Sequence, residues 1–289
     1  MNYNTLIDNR KSVRAFRDTP VPASVRTQIQ TYYETECQKL LPELDTQLLI
    51  LDTDAREALE GAAGYREFLV GAPAYLVLLT ARHPHAEENA GYIMEDLVLK
   101  LTDLELDSCW VGFGDAAKVR QALGLTSSDL EVAAIAAFGY GKRTPRKLRL
   151  NIENNSKVDI VAQRQFYTPK KSIYELVSLN TLGNEEGLDD VMGFYEDMLW
   201  NSFYAVAQSP SYLNRQPYAF ILRDKDLVLV QLPDVYTNES NGKLNLGIAM
   251  LHFSVIASQW VGKITWDLAA QAPGLALPEG SRVAAVYHM

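Results

Sequence analysis

Apolar positions along this 289-residue chain fall into two kinds of run, one spaced for helices and one nearly continuous. Val25, Ile29, Tyr32 and Tyr33, with Pro22 early, lie near one face of a helix predicted over 22–40. Leucine-rich and β-branched runs at Gln47–Leu51, Ala74–Thr80 and Val132–Phe138 predict strands, the last two apolar enough to be buried on both faces. A helical pattern at 55–69 separates the first two strands, and Tyr3–Phe16 reads as a short helix leading into an extended turn that ends at Pro20. The strongest helix of this region covers 89–106. Ile93, Leu97, Leu101, Leu104 and Leu106 supply its stripe and leave Glu95, Asp96 and Lys100 for the other face. Asp107–Asp115 breaks that helix and leads to another at 115–123.

Beyond Gly139-Tyr140-Gly141 the pattern changes. Residues 142–171 carry Lys142, Arg143, Arg146, Lys147, Arg149, Lys170 and Lys171 with little apolar periodicity, which suits a connection too long for a simple turn. A helix over 187–207, strands at Ala219–Leu222 and Leu227–Leu232, and a helix over 244–260 follow. The terminal Val283–Tyr287 echoes Val132–Ala136. Gly91 and Trp110 frame the long helix of the first region, and Gly247 and Trp266 frame that of the second. Both pairs are 156 residues apart (247 − 91 and 266 − 110). Shared spacing and shared element order predict an internal duplication. The expected architecture is α+β, with two pseudo-repeated lobes about a common axis, a covalent counterpart of a two-fold dimer. The expected division is a first half at 1–150, a connecting segment at 151–186 and a second half at 187–289. Ligand sites favour such interfaces.

Charge narrows the chemistry. With 36 acidic against 27 basic side chains, a net −9 and no basic stripe, nucleic acid is not the expected partner. Hydrophobic residues at 47% and charged ones at 22% fit a soluble globular protein. Cys37 and Cys109 make no disulfide framework, no HExxH or CxxC occurs, and His83-Pro84-His85 reads as a solvated turn. No signal-like N-terminus and no apolar stretch of about 18 residues is apparent, so a cytoplasmic protein without a membrane partner is expected.

Two stretches carry candidate chemistry. Asn9-Arg10-Lys11-Ser12-Val13-Arg14-Ala15-Phe16 gathers three cations and a hydroxyl. In an extended segment Arg10, Ser12 and Arg14 alternate onto one face, an arrangement suited to a phosphate monoester. Ser209–Phe220 lies between a helix and a strand and offers Pro210, Ser211, Asn214, Gln216 and Pro217, neutral groups suited to a polar chain such as a ribityl.

Together these stretches resemble the nitroreductase family of flavoproteins. Arg10, Ser12, Arg14 and Phe16 match its N-terminal Arg-x-Ser-x-Arg/Lys-x-Phe element for the FMN phosphate, with Lys11 beside them. Pro210, Ser211, Asn214, Gln216 and Pro217 match its Pro-Ser-x-x-Asn-x-Gln-Pro-Trp loop, with Tyr218 in place of the tryptophan. Trp110-Val111-Gly112-Phe113 looks like the segment that lies over the flavin ring, and Lys170, with Arg146 as competitor, is similar to the family's last phosphate cation. The departures are complementary: the first half lacks the Pro-Ser-x-x-Asn loop, having Gln38–Asp45 there, and the second lacks the Arg-x-Ser-x-Arg element. The resemblance therefore implies one FMN per chain and a monomer. Its chemistry is flavin-mediated: NAD(P)H reduces the flavin, leaves, and a nitroaromatic, quinone or other small acceptor takes the electrons in a ping-pong cycle. No catalytic side chain is named; Tyr212, Tyr218 and Phe113 either line the substrate side or pack in the core. Competing expectations are a flavin-binding protein with little turnover, another reaction on the same fold, and a plain scaffold.

Overall fold

The computed structural model describes residues 1–64, 69–125, 128–142, 147–154, 157–163, 170–195 and 197–289. In chain order these form α1 (Tyr3–Asn9), α2 (Ala23–Thr35), β1 (Thr46–Asp52), α3 (Ala55–Leu59), β2 (Ala74–Thr80), α4 (Ala86–Asp103), β3 (Asp107–Val111), α5 (Ala116–Ala122) and β4 (Glu131–Gly139). A hairpin of β5 (Lys147–Asn154) and β6 (Lys157–Gln163) follows. The rest comprises α6 (Ile173–Leu176), β7 (Val177–Leu179), α7 (Leu188–Phe194), α8 (Asp197–Gln208), β8 (Tyr218–Arg223), β9 (Asp226–Gln231), α9 (Glu239–Val261) and β10 (Arg282–His288).

Two four-stranded sheets result, in the orders β1-β2-β4-β3 and β10-β9-β8-β7. The first is antiparallel throughout; in the second only β7 on β8 is parallel. Within each sheet, a strand before the long helix pairs antiparallel with one after it: β2 with β4, and β9 with β10. Both pairings contain a register shift, at Leu78/Leu79 and at Val283/Ala285. Apolar side chains cover both faces of β2 and β4, which explains their near-continuous hydrophobic runs.

Helices α4 and α9 lie against each other between the sheets. Gly91 faces the carbonyl of Leu244, and Gly247 faces the carbonyl of Glu88; a Cβ at either glycine would collide with that oxygen. Each contact is the other shifted by 156 residues (247 − 91 and 244 − 88), so the glycines permit a reciprocal backbone approach. Both helices are buried around most of their circumference. Glu95 and Asp96 are therefore fully buried, not on a solvated face as the apolar stripe implied. The same setting explains α9, which has the length and apolar composition of a membrane span and yet is mostly buried inside the fold. Its polar interruptions, Asn245 and His252, hid that property from a count of uninterrupted apolar residues.

Several boundaries differ from the pattern-based expectation. The segment read as a break at 107–115 contains β3, and the basic connection contains β5 and β6. The helix expected over 187–207 is two, with Gly193 near the end of α7. The helix expected over 55–69 stops at Leu59, before Gly61 and Gly64, whose φ values of 76° and 109° are incompatible with helix.

Candidate functional site

The N-terminal cation segment is fixed by main-chain bonds along the first sheet. Leaving α1, the chain runs extended: Val13 N donates to Ser108 O at 2.8 Å, Arg17 N to Tyr140 O at 2.8 Å, and Lys142 N to Ala15 O at 2.8 Å. Ser12 forms a parallel bridge with Ser108 and Phe16 an antiparallel one with Gly141, with the Phe16 ring buried as an anchor. Lys11, Ser12 and Arg14 remain exposed, but the Arg10 side chain turns inward and is 8% exposed. The expected sharing of one face by Arg10, Ser12 and Arg14 is thus incomplete, because the end of α1 aims Arg10 at a buried carboxylate. Both arginines still lie close enough to Cys109 to oppose the rise that burial imposes on its thiol.

That carboxylate is Glu95, fully buried on α4 and absent from the residues expected in the site. Its Oε1 is 3.6 Å from Arg10 Nε and 3.1 Å from His252 Nε2; its Oε2 accepts from Trp110 Nε1 at 2.8 Å. His252, fully buried on α9, places Nδ1 2.8 Å from the Ala205 carbonyl. Lys170 completes the group. Its Nζ donates to the carbonyls of Gln208 and of Ser209, the latter at 3.0 Å. Burial, and after it the charge of Arg10, lower the Lys170 ammonium to about 7 against the opposing pull of Glu95. The competing cation, Arg146, lies outside the described residues.

Those carbonyls open the loop at 209–217, so the cation group and the loop share an end. The loop is a strained, self-bonded unit. Leu213, Asn214 and Gln216 have φ of 49°, 56° and 45°, uncommon for residues with a Cβ. Ser211 Oγ accepts from Gln216 N at 2.9 Å, and Gln216 Oε1 accepts from Lys171 N at 2.9 Å. Gln216 Nε2 reaches Ala207 O at 3.2 Å, which ties the loop back to α8. From α9, Asn245 Oδ1 accepts from Tyr212 N at 3.0 Å. The Tyr212 ring lies over Gly112, where an added Cβ would meet only its Cε2, at 3.7 Å. Val111, at the end of β3, is buried in the core of the first sheet. Tyr218 belongs to the core: it is fully buried, its hydroxyl is 2.6 Å from Ser209 Oγ, and burial pushes its pKa up to about 12. It is therefore not a substrate-facing ring. Phe113 packs partly buried against the core of the first sheet.

The structure thus brings Arg10, Lys170, Pro210 and Ser211 to one neighbourhood through Gln208 and Ser209, and brings Gly112 to the same loop through Tyr212. Among the described residues, two buried donors there make no hydrogen bond: Arg10 Nε, which has only its ion pair with Glu95, and Asn245 Nδ2. An unmet buried donor costs about 1–3 kcal/mol, so polar groups held in this state are suited to a ligand. Surplus cations, orphan donors and an open backbone at Gly112 fit an anionic, planar, polyhydroxylated molecule such as FMN. Of the residues the sequence pattern missed, Asn245 had a detectable signal. Asn89-Ala90-Gly91 and Asn245-Leu246-Gly247 repeat the same motif at the 156-residue spacing. His252 had a weaker one, as a polar position in the apolar middle of α9, and Glu95, on a helix with several other charged residues, had none.

The profile of a family described as "Putative TM nitroreductase" matches residues 2–257. The chain belongs to this nitroreductase family. Among solved structures it is similar to a protein of the same description from Thermotoga maritima MSB8, at 19% identity and a TM-score of 0.60, with 100% of this chain and 94% of that one covered. That likeness shows a nitroreductase-like fold of mixed helix and sheet over the full length. Half-chain matches include an FMN-dependent nitroreductase of Clostridium difficile R20291, at 18% identity and a TM-score of 0.42, covering 52% of this chain and 91% of that one. Another is a nitroreductase-type protein of Desulfovibrio desulfuricans in complex with FMN, at 20% identity and a TM-score of 0.43, covering 51% and 92%. Among curated proteins no sequence matches.

Proposed function

We propose that this nitroreductase-family chain is an FMN-dependent NAD(P)H oxidoreductase of the cytoplasm that reduces a small acceptor, such as a nitroaromatic or quinone, by a ping-pong cycle. It acts as a monomer in which residues 1–150 and 187–289 are two fused, pseudo-symmetric halves joined by 151–186, with one FMN between them. The observation that carries this reading is the contact of Gly112 from the first half with Tyr212 from the second, beside Lys170, which bonds Ser209 and feels the charge of Arg10. The reciprocal glycines on α4 and α9 support the fusion.

In this reading Arg10, Lys11, Ser12, Arg14 and Lys170 hold the phosphate, Pro210, Ser211 and Asn214 border the ribityl chain, and Val111 and Gly112 border the ring. FMN, when bound, supplies the hydride and electron transfer. The chain's own part is to hold the anion with cations, to keep Gly112 bare for close approach, and to fix the loop rigidly enough that orientation is set before the ligand arrives.

Steady-state oxidation of NADH and NADPH with saturating FMN and varied quinone or nitroaromatic tests it. Parallel lines in double-reciprocal plots are expected. Flavin retention without NAD(P)H oxidation by any acceptor would refute the enzyme reading and favour a flavin-binding protein.

A further inference from the structure

Glu95 presents a problem of charge to the phosphate reading. A buried carboxylate 3.6 Å from Arg10 Nε would neutralise the arginine that the anion needs. The hydrogen-bond pattern around His252 resolves it. His252 Nδ1 is 2.8 Å from the Ala205 carbonyl, a group that only accepts, so Nδ1 carries a hydrogen. In a neutral imidazole the other nitrogen, Nε2, would then present a lone pair. It faces Glu95 Oε1 at 3.1 Å, and an ionised carboxylate oxygen also presents only lone pairs. Both side chains are fully buried, so no bulk water mediates. The contact is attractive only with a hydrogen in it, as imidazolium with carboxylate or as imidazole with carboxylic acid. Either way the pair is neutral as a unit, and the group of Arg10, Glu95 and His252 keeps one positive charge. The charged and titratable groups facing Glu95 come from every element around it: Arg10 after α1, His252 on α9, Lys170 before α6 and Tyr218 on β8.

We propose that His252 is a positioning residue for the anion site: it shares a buried proton with Glu95, cancels that carboxylate, and so leaves Arg10 free to attract a phosphate. This rests on the reading of Arg10 as a phosphate ligand. Trp110 Nε1, bonded to Oε2 at 2.8 Å, keeps the carboxylate in plane while His252 holds its other oxygen. Glu95 then orients Arg10 without neutralising the site. The pair thereby selects for ligands with a phosphate over the same molecule without one.

The test compares the affinities of FMN and riboflavin, which differ by the phosphate. In the wild type FMN is expected to bind more tightly than riboflavin. In His252→Gln the carboxylate is left to pair with Arg10. FMN affinity is expected to fall about tenfold or more, with riboflavin affinity unchanged within about twofold. Adding Glu95→Gln to His252→Gln removes the offending charge and should restore most of the FMN preference. Equal loss for both flavins, or no recovery in the double variant, means that His252 is only structural and overturns the proposal. Should the variants not fold, NMR of wild-type protein labelled at histidine and glutamate decides: a hydrogen in the Nε2–Glu95 contact, on the ring nitrogen or on the carboxyl, supports it, and a neutral imidazole facing an ionised carboxylate overturns it. Failure of the wild type to bind FMN at all would instead remove the underlying reading, whatever His252 does.

Discussion

Two loops, one after α2 and one after α8, are each tethered by an asparagine, the first from α4 and the second from α9. Asn89 Oδ1 accepts from Leu41 N at 2.9 Å; Asn245 Oδ1 accepts from Tyr212 N at 3.0 Å. The asparagines are 156 residues apart, as are Asp96 and His252 about two helical turns further on (245 − 89 and 252 − 96). Both amide nitrogens, Asn89 Nδ2 and Asn245 Nδ2, are also buried without a hydrogen bond, and there the likeness ends. Asp96 is enclosed by protein donors: Tyr3 OH, Tyr32 OH and Gln38 N, each at 2.8 Å. Burial raises its pKa despite those bonds, and burial likewise raises those of Tyr3 and Tyr32. His252 lies instead in a group with cations to spare. The same scaffold position therefore closes one interface with internal hydrogen bonds and leaves the other with charge that an outside anion can satisfy. In the proposed fused-dimer reading, the Asp96 position is closed by protein groups and the His252 position serves the flavin site.

The frame common to both regions is the easiest thing to break. Gly247→Ala and Gly91→Ala each place a methyl against a main-chain oxygen of the facing helix. We expect each to cost about 3 kcal/mol in urea unfolding, more than the helix-propensity gain of about 1 kcal/mol returns. If either substitution is neutral, the close approach of α4 and α9 is not as described.

The difference between the regions is sharpened by a matched pair. Asn245→Ala unties the loop at Tyr212 and should weaken FMN binding about tenfold, whereas Asn89→Ala, which unties the loop at Leu41, should leave it within about twofold. Fluorescence titration of FMN into both variants measures this. Equal effects would mean that the two loops serve one site, or none.

A smaller effect comes from Lys170. Its folded-state pKa is lowered to about 7, while the unfolded chain titrates near the ordinary value of about 10.4. The penalty for burying its charge is thus full below about pH 7 and is relieved as pH rises from there, so the free protein gains stability through that window. A bound phosphate favours the charged form. FMN affinity should accordingly fall a few-fold as pH rises above about 7, beyond the phosphate's own titration near about 6. Lys170→Met should flatten this dependence; an unchanged profile in that variant would remove Lys170 from the site.

Much of this was legible in the chain because it depends on local pattern. The runs at Ala74–Thr80 and Val132–Phe138 could hardly be anything but buried strands, and the Gly91/Gly247 spacing pointed to the two glycines at which α4 and α9 approach each other. The loop at 209–217 was legible through the family's motif. Other features depend on tertiary surroundings. Glu95 and Asp96 sit where a solvated face was expected, since helical periodicity reports one buried side and α4 is packed on nearly all of them. The strand β3 lacks a strong apolar run because it lies at a sheet edge, with Ser12 bridged to Ser108. Lys170 was placed by resemblance, but its partners Gln208 and Ser209, 38 and 39 residues away, could not be read from spacing.

The central claim is that a single flavin site joins the Arg10 segment to the Ser209–Gln216 loop. The most direct measurement is a titration of the purified chain with FMN, followed by desalting and a visible spectrum, in the wild type and in an Arg10→Ala/Arg14→Ala variant. The account predicts one equivalent of retained flavin per chain and its loss in the variant. Two equivalents would contradict the closure of the Asp96 region, and no retained flavin, or full retention in the variant, would contradict the site itself.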